Sequence, residues 1–397
     1  MSAPLTGVRV LDLSDGIAGS HCARLFATGG AAVIKVEPPE GDPLRRSGPF
    51  PGDLPDREKS GVFLHLNAAK SSATLDIGNA TGRDLLLRLA GWADLVVESF
   101  APGRLASLGL GYDVLRDANP RLVLTSITPF GQTGPYRDYS ATEIGLHAIS
   151  GELSLAGQPR EPLKKGGNIA LFLGGLYGFL GSMAALFQRE ETGRGQHVDV
   201  SVAEGFMSII GGPLHEQSYN GGRPPGRRPG GLGWPNGIRL CKDGYVMVFT
   251  AYGVGDAWWP GFAKMISDGA EVEIPRAQPR DPEEQKPWDE RLTAWLAART
   301  RREAHAQAQR RGLAFGYLAT APDALASPQL AHRRFFTDVD HPAAGRLTMT
   351  GLPFLIDGER LALAPAPLLG EHNEVIYGGV LGLGREDMVR LRALGVI

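Results

Sequence analysis

Several residue patterns that announce common chemistries are missing from this sequence. Only two cysteines, Cys22 and Cys241, occur in 397 residues. Neither stands in a CxxC or a Cys/His ligand spacing, so neither a disulfide framework nor a metal site is expected. Cys22 lies in an apolar helical pattern and is expected in the core. There is no GxSxG and no P-loop. The glycines of "GGVLGLG" (378–384) follow no strand of a βαβ unit, so they are no dinucleotide fingerprint. The net charge of -2 gives no basic excess for nucleic acid, though it leaves room for a local basic pocket. His65, His147, His197 and His372 have no ligand partners by spacing and are expected to be structural. The opening "MSAPLTGVRVLDLSDG" has no basic stretch followed by an apolar one. No signal peptide is therefore expected, and the cytoplasm is the expected compartment.

Long apolar runs are scarce too. One exists: residues 169–187, within and beyond "GGNIALFLGGLYGFLG", carry no charged side chain. That reaches the length of about 18 residues at which a membrane span is considered. The run is single, and globular patterns flank it on both sides. Gly174, Gly175, Gly178 and Gly181 are close-packing notches that suit a helix buried in a soluble core. No membrane contact is expected.

What is present is a large apolar fraction, 43%, with 54 glycines and 29 prolines. This suits one large or two ordinary domains with many tight connections. Short apolar runs alternate with amphipathic stretches over the first 130 residues. Strands are expected at 8–13, 31–37, 72–77, 94–100 and 121–130. Helices are expected at 20–30 and at 81–93, the latter with Thr81 as N-cap. This alternation predicts a mostly parallel sheet covered on both faces, with ligands at the carboxyl ends of its strands. A helical pattern runs from Tyr139 to Gln188, and a strand follows at 195–202. Residues 217–236 are dominated by Gly, Pro and Arg and read as a linker or loop. A hairpin with "KDG" as its turn is expected at 237–253, then a mostly helical, charged region to 327. The boundaries are 1–216 for the first part of a large domain, 217–236 for the linker, 237–327 for a small domain, and 328–397 for a return to the large one.

Several stretches, in order, resemble CoA-transferase family III. They are "GVRVLDLSDGIAGSHCARLFATGGAAVIKVEPPEGDPLR", "NAAKSSATLDI", "ADLVVESFAPGRLASLGLGYDVLRDANPRLVLTSITPFGQTGPYRD", "ETGRGQHVDVSV" and "GEHNEVIYGGVLGLGREDMVRLRALGV". Together they cover nearly the whole chain. The family includes formyl-CoA transferase, carnitine CoA-transferase and α-methylacyl-CoA racemase. The resemblance implies an α/β protein with a Rossmann-like large domain, a small α+β domain, and an interlocked dimer. It implies coenzyme A or an acyl-CoA as substrate, with no permanently bound cofactor. Positions matching its CoA contacts are Gly16, Ile17, Ala18, Lys70, Ser99, Phe100, Arg104 and Arg137. The Arg227/Arg228 loop is a further source of positive charge. A mobile lid that shields the site in the family matches Gly230, Gly231, Gly233 and Trp234. Trp234, Trp258 and Trp259 are candidates for an apolar acid pocket.

The family's transfer reaction uses an aspartate that attacks the thioester and forms a mixed anhydride. Counting back from "MAALFQREETGRGQ" places that aspartate on Leu171 here, or on Ala170 after a one-residue slip. Neither side chain attacks a thioester, and nearby Asn168 is only an amide. Ser71, Ser107 and Pro38 also stand where members place arginines. Glu143 and His147 are the alternative acid/base pair, one helical turn apart. Three readings stay open. The first is a CoA-transferase subunit that relies on a paralogue carrying the aspartate, as in the two-subunit benzylsuccinate CoA-transferase. The second is an acyl-CoA isomerase, racemase or dehydratase using another acid. The third is a non-enzymatic acyl-CoA binding protein.

Overall fold

The computed structural model describes residues 3–156, 161–219, 233–250 and 257–397. They divide into two compact units. The larger takes in the chain up to 225, apart from 158–161, and resumes at Ala331; the smaller contains Gly226–Leu330.

In the larger unit the chain runs β1 (Arg9–Asp12), α1 (Ile17–Thr28), β2 (Ala32–Glu37), α2 (Gly61–Leu66), β3 (Ser71–Thr74), α3 (Ala80–Trp92) and β4 (Leu95–Glu98). It continues through α4 (Arg104–Ser107), α5 (Tyr112–Ala118), β5 (Val123–Thr128), α6 (Glu143–Ile149), α7 (Ile169–Thr192), β6 (His197–Ser201), α8 (Val202–Ser208) and α9 (Gly211–Tyr219). Six parallel strands lie in the order β3-β2-β1-β4-β5-β6. The order reverses between β1 and β4. There the loops leave toward opposite faces and open a crevice. The central strands β4 and β5 are buried throughout, as strands covered on both faces are. One face of the sheet carries Leu85, Leu86, Leu89 and Leu115 from α3 and α5. The other carries Cys22, Phe26, Ala170, Leu186 and Phe206 from α1, α7 and α8. Cys22 is fully buried, as expected from its pattern.

Three local readings change. Helix α3 is capped by Asn79, whose side chain accepts from Gly82 N–H, and Thr81 lies inside the helix. The helical stretch predicted from Tyr139 breaks after α6, where Gly151 turns left-handed at φ 87°. An antiparallel hairpin, β10 (Phe336–His341) with β11 (Gly345–Thr350), went unpredicted.

Helix α7 is apolar and long enough to cross a membrane by composition alone. Its glycines instead serve close packing. A Cβ on Gly174 would lie 2.7 Å from a Val202 methyl, and one on Gly181 2.9 Å from a Val198 methyl. At Gly175 and Gly178 it would run into Ala18 O and the Ile127 side chain. These notches let α7 lie against α1, β5, β6 and α8 at backbone distance.

In the smaller unit, β7 (Gly237–Cys241), β8 (Gly244–Val248) and β9 (Gly316–Tyr317) form an antiparallel sheet. Helices α10 (Trp259–Ile266), α11 (Pro282–Ala297) and α12 (Arg301–Gln309) belong to the same unit. Its core is aromatic: Trp259, Phe262, Trp288 and Trp295 are buried together.

Candidate functional site

The crevice between β1 and β4 is built from two short loops tied to each other. Ser99 Oγ donates to Asp15 O at 2.5 Å and accepts from Asp15 N–H at 3.1 Å. Gly16 then takes φ 76°, a backbone conformation that glycine adopts without penalty, and opens α1. No side chain caps α1, so its first N–H groups are left for an acceptor from outside. Gly19 lies so close to Ser14 that any side chain there would collide with it. The sequence places Gly16, Ile17 and Ala18 at this helix start and Ser99 and Phe100 opposite. The structure brings the two loops together.

Beside them lies a cavity of about 270 Å³ at the carboxyl ends of β1, β2 and β3. Val36, Leu75, Ile77, Phe100 and Leu108 give it apolar walls, Arg104 supplies a cation, and Asp15, Asp42 and Asp76 also line it. Pro38, at a position where the family resemblance points to arginine, also lines it. The apolar walls suit a flat group, and among the described residues Arg104 is the one lining cation that an anion could meet. Arg137 lines a separate, more open groove with Ser99, Phe100 and Tyr139 and pairs with its neighbour Asp138 at 3.2 Å.

Lys70 is placed differently from its expectation as a ligand contact. Its ammonium is fully buried. It donates to Asp12 Oδ2 at 2.7 Å, Ser20 O at 2.9 Å and Asn67 Oδ1 at 2.9 Å. All three donors are spent inside the chain, so Lys70 braces the loop from below. A second buried lysine, Lys35, pairs with Asp42 at 2.7 Å and faces Asp12 at 3.8 Å. Burial works against the Asp12 carboxylate, but Lys35 and Lys70 outweigh it and hold its pKa below the ordinary range.

Glu98, at the end of β4, drew no notice in the sequence. It is buried, and Oε2 accepts the Phe100 N–H at 2.7 Å. Burial raises its pKa to about 7. Bonds from Ser126 and the Phe100 amide oppose the shift, and Asp15 and Asp199 add to it. Its apolar-looking strand, "LVVE", gave no sign that the carboxyl end would be sealed.

The start of α7 is the other half of the site. Asn168 precedes it without a side-chain capping bond. Leu171, the position counted for the family aspartate, is half-buried and packs on the apolar core. The helix start is instead capped from α6. Glu143 Oε1 accepts from Ala170 N–H at 3.0 Å, and Oε2 from Leu171 N–H at 3.2 Å. Glu143 and His147 do share a helix face, with Oε1 3.0 Å from Nε2. Glu152, unnoticed in the sequence, takes the other ring nitrogen at 2.7 Å.

Of the expected lid, Gly230 and Gly231 lie outside the described residues, as do Arg227 and Arg228. Gly233 has φ 79°. Trp234 is anchored within the smaller unit. Its indole N–H donates to Asp289 at 2.9 Å, and its ring meets Trp259 edge-on at 5.9 Å. Trp259 is fully buried in the unit's interior, and Trp258 is half-buried against the same core. Among the described residues no cluster of three or more His, Cys, Asp or Glu side chains is arranged to hold a metal.

Comparison with known proteins agrees with this architecture. A 31% identical relative is formyl-CoA:oxalate CoA-transferase of Streptomyces avermitilis, matched over 100% of both chains. Subunit BbsE of succinyl-CoA:(R)-benzylsuccinate CoA-transferase from Thauera aromatica is 34% identical, over 95% of this chain and 94% of its own. Succinyl-CoA--D-citramalate CoA-transferase of Chloroflexus aurantiacus is 32% identical, over 99% and 98%. The crystal structure of a CAIB/BAIF family protein from Brucella suis superposes with a TM-score of 0.82 at 28% identity, covering 96% of this chain and 100% of that one. With the doubly wound sheet, the open α1 start at its switch point, and the sequence profile of CoA-transferase family III matching residues 5–373, the chain belongs to CoA-transferase family III.

Proposed function

We propose that this chain is the subunit of a heteromeric CoA-transferase that does not supply the nucleophile. The enzyme would move CoA between an acyl-CoA donor, such as succinyl-CoA, and a carboxylic acid. A paralogous subunit would carry the aspartate. The observation that carries this reading is at the start of α7: an apolar Leu171, with its backbone amide already engaged by Glu143. A nucleophilic carboxylate needs a free lone pair aimed at the thioester. Both oxygens of Glu143 are occupied, so it is a poor substitute. The same occupancy weakens the isomerase reading, which needs Glu143 or His147 to exchange a proton with substrate.

Two further features support the reading. One relative is itself named as a subunit and takes succinyl-CoA, and the Chloroflexus relative also uses succinyl-CoA. Leu176, Leu180 and Phe187 leave an apolar stripe of α7 exposed, Phe187 at 76%, and a protein neighbour would cover it. In this reading coenzyme A lies in the β1–β4 crevice, with an anionic group at the α1 start, a flat group near Phe100 and a phosphate near Arg104.

The test is a transfer assay with succinyl-CoA and a panel of carboxylic acids. The chain alone is expected to show no transfer, and co-expression with the paralogue restores it. Full activity of the purified single chain overturns the proposal.

A further inference from the structure

Four ionisable side chains stand in single file leading to the start of α7. Lys165 Nζ lies 3.1 Å from Glu152 Oε1. Glu152 Oε2 is 2.7 Å from His147 Nδ1, and His147 Nε2 is 3.0 Å from Glu143 Oε1. Glu143 ends the file on the amides of Ala170 and Leu171. Side-chain exposure falls from 56% at Lys165 to 3% at Glu152, 0% at His147 and 9% at Glu143.

With the His147 ring protonated at both nitrogens, the signs alternate along the file: plus, minus, plus, minus, then the partial positive charge of a helix start. Each charge has opposite neighbours on both sides. An ionised carboxylate only accepts hydrogen bonds, so a ring facing one at each nitrogen needs a proton on both. Glu143 accepts from two backbone donors at the helix end. Burial opposes ionisation of Glu152, but the bonds from His147 and Lys165 outweigh it and keep its pKa low. From α8, Phe206 covers the imidazole at a centroid distance of 4.4 Å, and an aromatic ring tolerates a cation well. Glu204 on the same helix is exposed.

We propose that His147 is a positioning residue that bridges Glu152 and Glu143 through both ring nitrogens. As an imidazolium braced by Glu152, it holds Glu143 across the Ala170 and Leu171 amides. The chain thus fills the start of α7 with a carboxylate of its own. This inference rests on reading position 171 as the one the transferring aspartate has left. It gives that loss a structural counterpart. The first α7 donors are not offered to an oxygen of the acyl group, and neither His147 nor Glu143 holds a proton that substrate can reach.

The test uses the full chain with ¹⁵N-labelled histidine, followed by NMR of the ring nitrogens from about pH 5 to 9, across the ordinary histidine range. One of the nine histidines is expected to keep both ring protons throughout. That signal vanishes in His147→Gln. In Glu152→Gln the same ring loses a proton within the range. Exchange of the Leu171 amide in His147→Gln is expected to rise on the order of tenfold or more, with the last turns of α7 unchanged. A wild-type chain with no histidine doubly protonated at pH 8 overturns the proposal and needs no variant to fold. The readout involves neither acyl-CoA nor a partner, so it stands apart from the transfer assay.

Discussion

The Leu171 amide donates at 3.2 Å to Glu143, 28 residues earlier in the chain, beside the Ala170 amide at 3.0 Å. This contact joins α6 to the first turn of α7. Glu143→Ala would leave two helix-start amides and the His147 ring facing an empty space. The expected loss is about 2–4 kcal/mol, because a buried charged partner is left uncompensated. Glu143→Gln keeps one acceptor oxygen and is expected to cost less. Urea unfolding of the three proteins checks the order. A change below about 0.5 kcal/mol in Glu143→Ala would mean that the contact carries no stability.

The glycines of α7 make a sharper packing prediction. Gly178→Ala drives a methyl into Ile127 and toward the Cys22 sulfur and is expected to destabilise by about 1–3 kcal/mol. By contrast, Gly166→Ala, in the loop before α7, meets nothing within 4 Å and is expected to be close to neutral. Thermal unfolding of both variants separates a notch that packs from a glycine that does not.

These two cases also show what the sequence could convey. Periodicity made α7 and the strands of the sheet legible, because buried strands and helices must be apolar at fixed intervals. Sequence order also pointed to the loops of Gly16 and Phe100, since parallel sheets bind at strand ends. Lys70 reads as a ligand contact because a sequence cannot show that Asp12, 58 residues away, already pairs with it. The Glu143 cap was invisible for the same reason. The β10–β11 hairpin was missed because its short alternating strands are flanked by irregular chain.

Glu98 predicts a pH dependence. Its folded pKa near 7 lies above the ordinary glutamate value. The folded chain therefore binds more protons than the unfolded one between those values, and this contribution falls as pH rises through the window. Glu98→Gln keeps an oxygen for the Phe100 amide and carries no charge. It is expected to gain on wild type between pH 5 and pH 8 by up to about 3 kcal/mol. Urea unfolding at both pH values decides this. A variant equally offset at pH 5 and pH 8 would show that Glu98 ionises as freely as an exposed glutamate.

Arg104 and Lys70 were both read from sequence as contacts for coenzyme A, and the structure separates them. Arg104 lines the cavity beside Phe100, and no carboxylate pairs with it among the described residues. Lys70 is enclosed and paired. Arg104→Ala is expected to weaken CoA binding by about tenfold, equivalent to about 1.4 kcal/mol, with unfolding little changed. Lys70→Ala leaves Asp12 buried with only the more distant Lys35, and is expected to cost about 3–5 kcal/mol of stability. Titration calorimetry with CoA, paired with urea unfolding, distinguishes the two roles. If Lys70→Ala keeps its stability but loses CoA affinity, its ammonium must reach the ligand, and the buried Asp12–Lys70 pair is not a brace beneath the site.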